Sequence, residues 1–329
     1  MVSNQENPIG VETISYALPE KILSSREVID QHGFDEDFVL RKLGITERRV
    51  LSEGESLSDL CAEAIEGLLK ETEYSPSDIE LLVVVTQTGD YSIPHTSAIV
   101  QAKTGISETA MVFDISLGCS GFVAGLDVAA GTMEKLGLGV GILVTADAYS
   151  RIVDTEDRST APLFGDGASA TLLSRDPKWL LGNSDFGTLG RMHEKLLLPG
   201  SGTNAGTLGA LVMDGRAILG FTRKSVTQSV ETVAHQNGLN TSNIGYFVFH
   251  QANSFVLDSL TQDLAIPTEK VIREHSDVGN TTSSSIPIAL KRSIITKEVT
   301  TPVLISGFGV GLSWHSNILF PVGGKVEDK

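Results

Sequence analysis

The sequence predicts an α/β fold made of two similar halves, and three observations predict it. Apolar runs of strand length alternate with amphipathic helical stretches along the chain, the pattern expected of helices layered on sheets. Landmarks of the first half recur in the same order in the second. With 41% hydrophobic residues among 329, the chain has enough apolar surface for a sizeable core.

The repeated landmarks can be taken in order. Ser77-Asp78-Ile79 opens SDIELLVVVTQT, an apolar run that ends in a polar loop, and Ser242-Asn243-Ile244 opens SNIGYFVFHQAN in the same way. Gly118-Cys119 and Gly279-Asn280 each close an extended segment and precede a stretch of small residues. Cys119 precedes ILVTAD, which starts at Ile142, by the same interval at which Asn280 precedes VLISGF, which starts at Val303. These pairs divide the chain into halves spanning residues 1–178 and 179–329. Helical spacing appears at residues 60–70, 120–136 and 225–236. The glycine-rich stretch 187–215, which contains GTLG twice, reads as an irregular excursion of the second half, placed to cap a pocket.

Composition excludes several classes of function. A net charge of −16 without any basic run argues against nucleic-acid binding, because phosphate contacts need clustered cations. The longest apolar runs, such as residues 81–85, are far too short to span a bilayer, and the polar N-terminus lacks the pattern of a signal peptide. A soluble, cytoplasmic protein is expected. Two cysteines, Cys61 and Cys119, are too few for a disulfide framework and suit a reducing compartment. No histidine has metal-ligand spacing with another or with Cys61, so neither a metal nor an organic cofactor is expected.

The candidate chemistry gathers at three positions. Cys119 lies between an apolar strand and a helix whose Val123, Leu126, Ala130 and Met133 share one face. A helix N-terminus favours a thiolate, so a lowered pKa and a nucleophilic sulfur are expected; a small buried hydrophobe is the other reading of a free cysteine. His250 ends the apolar run YFVF, at the strand end where α/β sites collect functional groups, although a lone histidine there also serves structure. Asn280 occupies the turn paired with Cys119 by the duplication, and its plain alternative is a helix N-cap. If the halves pack about a pseudo-twofold axis, the three side chains meet. Such a group suits thioester chemistry, with a cysteine protease as the rival use of Cys, His and Asn. Asp166, in the tight turn FGDGAS, reads as a structural carboxylate near the site, with a catalytic role as the alternative.

Residues 9–320 resemble β-ketoacyl-acyl-carrier-protein synthase III, a family of the thiolase superfamily. The markers are LGITERR (43–49), GCSGF (118–122), DRSTAPLFGDGA (157–168), HQAN (250–253), GNTTSSSIP (279–287) and GFGVGLSW (307–314). The resemblance implies a thiolase fold, a five-layer αβαβα sandwich, and an obligate homodimer. It implies an acyltransferase in which Cys119 is acylated from acyl-coenzyme A and the acyl group condenses decarboxylatively with a malonyl thioester, giving a 3-oxoacyl product. His250 and Asn280 then stabilise the enolate, and the backbone N–H groups of Cys119 and Val310 form the oxyanion hole. Coenzyme A thioesters enter as substrates, not as cofactors.

Departures from the family pattern set further expectations. Phe38 and Lys42 stand where the family commonly grips coenzyme A with Trp and Arg, while Arg158 and Asn253 of the same tunnel are kept. The helix after HQAN carries Phe255, Asp258, Gln262 and Asp263 where the housekeeping enzymes place cations for their acidic carrier. This points to a specialised pathway, with a dedicated carrier protein, free coenzyme A thioesters, or transfer to an oxygen or nitrogen acceptor; housekeeping fatty-acid initiation is the alternative. Ile93 replaces a residue that floors the partner's acyl pocket, often Phe, and predicts a slightly deeper pocket. Among relatives, a hydroxymethylglutaryl-coenzyme A synthase would want an acid where Gln87 and Thr88 stand, with Asp90 nearby. A biosynthetic thiolase would want a second cysteine in the C-terminal half, and a non-catalytic scaffold would not need Cys119, His250 and Asn280.

Overall fold

The computed structural model describes residues 8–204 and 206–323. Strand β1 (Gly10–Ala17) is followed by the ribbon β2 (Ile22–Ser24) and β3 (Glu47–Arg49), with helix α1 (Ser25–His32) between them. Helix α2 (Leu57–Lys70) starts at Ser56, whose hydroxyl accepts the Asp59 N–H at 3.2 Å. Then come β4 (Leu81–Val85), α3 (Thr96–Thr104), β5 (Met111–Ile115), α4 (Gly121–Leu136), β6 (Val140–Asp147) and β7 (Gly167–Ser174).

The chain continues through β8 (Trp179–Leu181) and β9 (Asp185–Thr188) into a small ribbon, β10 (Leu196–Leu197) with β11 (Val212–Met213). It ends with α5 (Gly215–Phe221), α6 (Thr227–Gln236), β12 (Tyr246–Phe249), α7 (Ser254–Asp263), α8 (Ser285–Leu290), β13 (Val303–Gly309) and β14 (Ser313–Pro321).

Ten strands form one sheet in the order β5-β4-β6-β7-β1-β8-β14-β13-β12, with β9 beside β14. The duplication is visible in the strand directions. β4 runs parallel to β6, then β7 and β1 follow antiparallel; β12 runs parallel to β13, then β14 and β8 follow antiparallel. Phe247 makes an isolated parallel bridge to Val271 in the place that β5 holds beside β4. Before β4 and again before β12, a short turn closes with a reciprocal capping box, Ser75 with Asp78 and Asn240 with Asn243. The matching polar signals in the sequence are these caps.

The layers follow from strand alternation. Leu81, Val83 and Val85 of β4, with Val303 and Ile305 of β13, bury against α4 and α8, whose Phe122, Leu126, Ile286 and Leu290 share one core. Leu82 and Val84 face the other way, onto α2. Phe247, Phe249 and Leu304 likewise turn outward onto Val230 of α6 and Leu257 of α7. The two halves of this one sheet therefore stack on either side of α4 and α8, and the order is helix, half-sheet, helix, half-sheet, helix, the five-layer thiolase fold expected from the sequence. At the centre, the N-termini of α4 and α8 converge on the site. Among the described residues no helix is long and apolar enough to cross a membrane, and no group of His, Cys, Asp and Glu is disposed to hold a metal ion.

Candidate active site

Cys119 sits in the turn between β5 and α4, where the Gly121 N–H donates to the Gly118 carbonyl at 2.7 Å. Three glycines make room for it. A Cβ on Gly309 would lie 3.0 Å from the Cys119 sulfur, one on Gly307 would lie 2.5 Å from the Cys119 carbonyl, and one on Gly118 would lie 2.9 Å from the Val310 side chain. The backbone of the β13 end therefore lies directly against the nucleophile. His250 follows β12, and its N–H donates to the Ser306 carbonyl at 2.8 Å, while Asn280 joins the halves by donating its N–H to Leu163 and accepting from Gly165.

The three side chains line one cavity of about 90 Å³. All are buried, with Cys119 6%, His250 3% and Asn280 3% exposed. Asn253, Phe308 and Gly309 line it as well, and the 187–215 excursion contributes Leu196 and Met213 to its wall, the capping role its position suggested. A larger groove of about 520 Å³ near Arg191, Lys224 and Trp314 contains none of these groups, so chemistry rather than size marks the site.

The electrostatics correct one expectation. The helix N-terminus does not lower the Cys119 pKa. Burial pushes the thiol up, and the buried Asp147 carboxylate adds to the push, with only the cysteine's own backbone N–H opposing. Asp147 was not singled out from the sequence, although an acid closing an apolar strand run is a detectable signal. It accepts the Gln87 N–H at 2.9 Å and the Thr282 and Ser283 hydroxyls at 2.6 Å each, and burial raises its pKa. In the free protein, alkylation of Cys119 by iodoacetamide is expected to keep rising with pH up to pH 9; a plateau near pH 7 would contradict the burial argument.

His250 is held neutral. Burial, then the neighbouring His275, bring its pKa down to about 3. The Ser285 hydroxyl accepts the Gln251 N–H at 3.3 Å and lies 2.7 Å from His250 Nδ1. With the Ser285 hydrogen donated to Nδ1, the ring proton stands on Nε2. Asn280 Oδ1 accepts the Thr282 N–H at 3.0 Å, which turns its NH₂ end away from that contact. Two neutral donors thus stand by one buried thiol. Ser285 sits in a run of serines and threonines, where no sequence signal separates it from its neighbours.

Phe38, Lys42, Arg158 and Ile93 fall outside the cavity wall. Phe38 and Lys42 are exposed on the helical segment Asp37–Leu43, Arg158 is exposed in its loop, and Ile93 is 88% exposed. Asn253 caps α7 by accepting the Val256 N–H at 2.9 Å. Asp166 accepts the N–H groups of Leu51 and Ser150 at 2.8 and 3.0 Å, a structural use. Cys61 is fully buried in α2 among apolar neighbours, away from the cavity. On α7, the two acidic residues do not stand alone: Asp263 takes Arg223 through two bonds of 2.6 Å, and Asp258 pairs with Arg273 at 2.7 Å. Their repulsion of an acidic partner is therefore smaller than the bare sequence suggests.

Comparison with known proteins agrees with this geometry. The profile described as 3-oxoacyl-[acyl-carrier-protein (ACP)] synthase III matches residues 113–190, and its C-terminal counterpart matches residues 234–320. The chain is 32% identical over 322 residues to the β-ketoacyl-[acyl-carrier-protein] synthase III of Streptococcus uberis, covering 94% of this chain and 98% of that one. It is 30% identical over 321 residues to that of Lactococcus lactis subsp. lactis, with the same coverage. The crystal structure of the 3-oxoacyl-(acyl carrier protein) synthase III of Pseudomonas aeruginosa PAO1 superposes with a TM-score of 0.88 at 29% identity, covering 95% of this chain and 98% of that one. The priming β-ketosynthase of the R1128 polyketide pathway superposes at 0.87 and 29% identity, covering 96% and 97%. With two family profiles matched and near-complete overlap with a relative 32% identical, the chain belongs to the 3-oxoacyl-[acyl-carrier-protein] synthase III family of condensing acyltransferases.

Proposed function

We propose that this condensing enzyme carries its acyl group on Cys119 and serves a specialised pathway. The observation that carries the first part is the shared cavity of Cys119, His250 and Asn280. In the first step the Cys119 sulfur attacks the carbonyl of an acyl-coenzyme A. The N–H groups of Cys119 and Val310 hold the oxyanion, the carbon–sulfur bond to coenzyme A breaks, and the cysteine proton leaves with the departing thiol. The Gly309 backbone against the sulfur supports this role for Val310.

In the second step a malonyl thioester enters and its carboxylate leaves as carbon dioxide. The electron pair stays as an enolate whose oxygen accepts from His250 Nε2–H and Asn280 Nδ2–H. The enolate carbon attacks the acyl carbonyl, the Cys119 thiolate departs and regains a proton, and a 3-oxoacyl thioester results. Burial brings the His250 pKa down to about 3, which makes the imidazole a weak proton acceptor and suits it to donate to this oxygen rather than to abstract a proton. That use of the histidine speaks against the protease alternative.

Phe38, Lys42, Arg158 and Asn253 are assigned to coenzyme A. In support, Gly44, which closes the segment bearing Phe38 and Lys42, packs on Ser254, next to Asn253 in the cavity wall. A homodimer is assigned to the β5 edge: β5 is the outermost strand, and Tyr91 and Ile93 stand exposed on the loop after β4. The halves divide at 178/179, and the enzyme is placed in the cytoplasm, where both thiols stay reduced.

The specialised role rests on α7. Phe255 is 51% exposed there, and Arg273 and Arg223 are paired with Asp258 and Asp263. These two arginines are not free to steer a strongly acidic carrier. Malonyl-coenzyme A, or malonate on a dedicated carrier, is expected to turn over at least about tenfold faster than malonate on the fatty-acid carrier, measured as kcat/KM. Efficient use of the fatty-acid carrier would return the enzyme to housekeeping initiation, and acyl transfer to an alcohol or amine without carbon dioxide release would replace condensation.

A further inference from the structure

A second cavity, of about 250 Å³, has a charged group in its floor. Val28 of α1, Arg48 of β3, Val50 and Ala161 are buried there, while Gln31, Thr155 and Glu156 stand exposed at the rim. Ser150 and Ala161 line this cavity, and their near neighbours Tyr149 and Leu163 line the catalytic one, so two chain segments wall both spaces.

Arg48 has an open edge. It is 3% exposed, and its stem runs where Gly279 lacks a Cβ, with Cγ 2.8 Å from that position. Nη1 donates to the Ala161 carbonyl, whereas Nε and Nη2, both buried, have no hydrogen-bond partner among the described residues. These two nitrogens form the side of a guanidinium that grips both oxygens of a carboxylate at once. Among the described residues no acid fills that fork. Asp166 attracts Arg48 through space, but its oxygens are taken by the Leu51 and Ser150 N–H groups and the Ser150 hydroxyl. Glu156, the one carboxylate in the cavity lining, pairs with His32 at 3.0 Å. Burial pulls the Arg48 pKa down to about 10, the mark of a cation short of compensation. A buried charged donor left unmet is costly, and a partner from outside the chain would meet it.

The rest of the lining describes that partner. Leu23, Val28, Val50, Val153 and Ala161 offer an apolar surface for a hydrocarbon tail. The Glu156 charge disfavours a doubly charged phosphate more than a singly charged carboxylate. A cavity of ~150 Å³ accommodates benzene, so about 250 Å³ accommodates about ten non-hydrogen atoms. We propose that this cavity is a binding site, separate from the catalytic one, for a monocarboxylate with a short apolar tail, held by Nε and Nη2 of Arg48.

The test is calorimetric titration of the full-length protein with hexanoate, hexan-1-ol and inorganic phosphate in turn. Hexanoate is expected to bind with a Kd of about 1 mM or tighter, and hexan-1-ol, which lacks the charge, and phosphate, which lacks the tail, at least about tenfold more weakly. Arg48→Lys keeps the charge without the fork and is expected to raise the hexanoate Kd at least about tenfold. Thr155→Trp closes the rim and leaves Arg48 in place; it is expected to weaken hexanoate as much, which keeps the idea testable if the lysine variant fails to fold. Hexanoate bound no tighter than hexan-1-ol, or phosphate bound as tightly as hexanoate, would overturn the proposal. So would a hexanoate Kd unchanged in either folded variant, which would put the acid elsewhere, the catalytic cavity included. Absence of hexanoate binding would overturn it as well and leave water as the partner of the open edge.

Discussion

Replacing either His250 or Asn280 with alanine is expected to slow condensation by about 10²–10³-fold, ~2.7–4 kcal/mol of lost transition-state stabilisation, while Cys119 still becomes acylated. The separation of the two half-reactions is the informative part. Both side chains offer neutral N–H donors in a buried cavity, where a hydrogen bond to a developing enolate is worth far more than in water. In the mechanism proposed above neither is needed to hold the acyl oxyanion, which is assigned to the backbone of Cys119 and Val310. Parallel measurement of acyl-enzyme formation and of carbon dioxide release checks this. A His250→Ala variant that fails to acylate would make the imidazole a base for the thiol instead. An Asn280→Asp variant is expected to do worse than Asn280→Ala, because a carboxylate would face the growing negative charge.

Cys119→Ala is expected to remove condensation altogether, on the order of 10⁴-fold or more, because the cavity wall holds no second thiol to take its place. Cys61 offers no substitute, being fully buried in α2 and pushed by burial far toward the protonated thiol. Stability is expected to change little, since sulfur to methyl is a small loss beside a cavity that already exists. A thermal melt alongside the assay separates loss of chemistry from loss of fold.

Much of this arrangement was legible in the residues themselves. The equal spacing of Cys119 and Asn280 from the next strand placed them at equivalent turns, and a pseudo-twofold packing of halves then required them to meet. The order of strand directions repeats as the repeated landmarks implied. What could not be read were effects set by groups distant in the chain. The thiol's pKa depends on Asp147 and on depth of burial, so the local helix-terminus argument gave the wrong sign. The acidic residues of α7 looked unpaired until tertiary packing brought Arg223 and Arg273 beside them.

The most direct test is a chase on the wild-type enzyme. After incubation with acetyl-coenzyme A, intact-mass analysis and peptide mapping should find one acetyl group on Cys119. Addition of a malonyl thioester should then discharge it, with one carbon dioxide released for each acetyl lost. An acyl group found on any other residue, or one on Cys119 that the malonyl thioester leaves in place, would contradict the account.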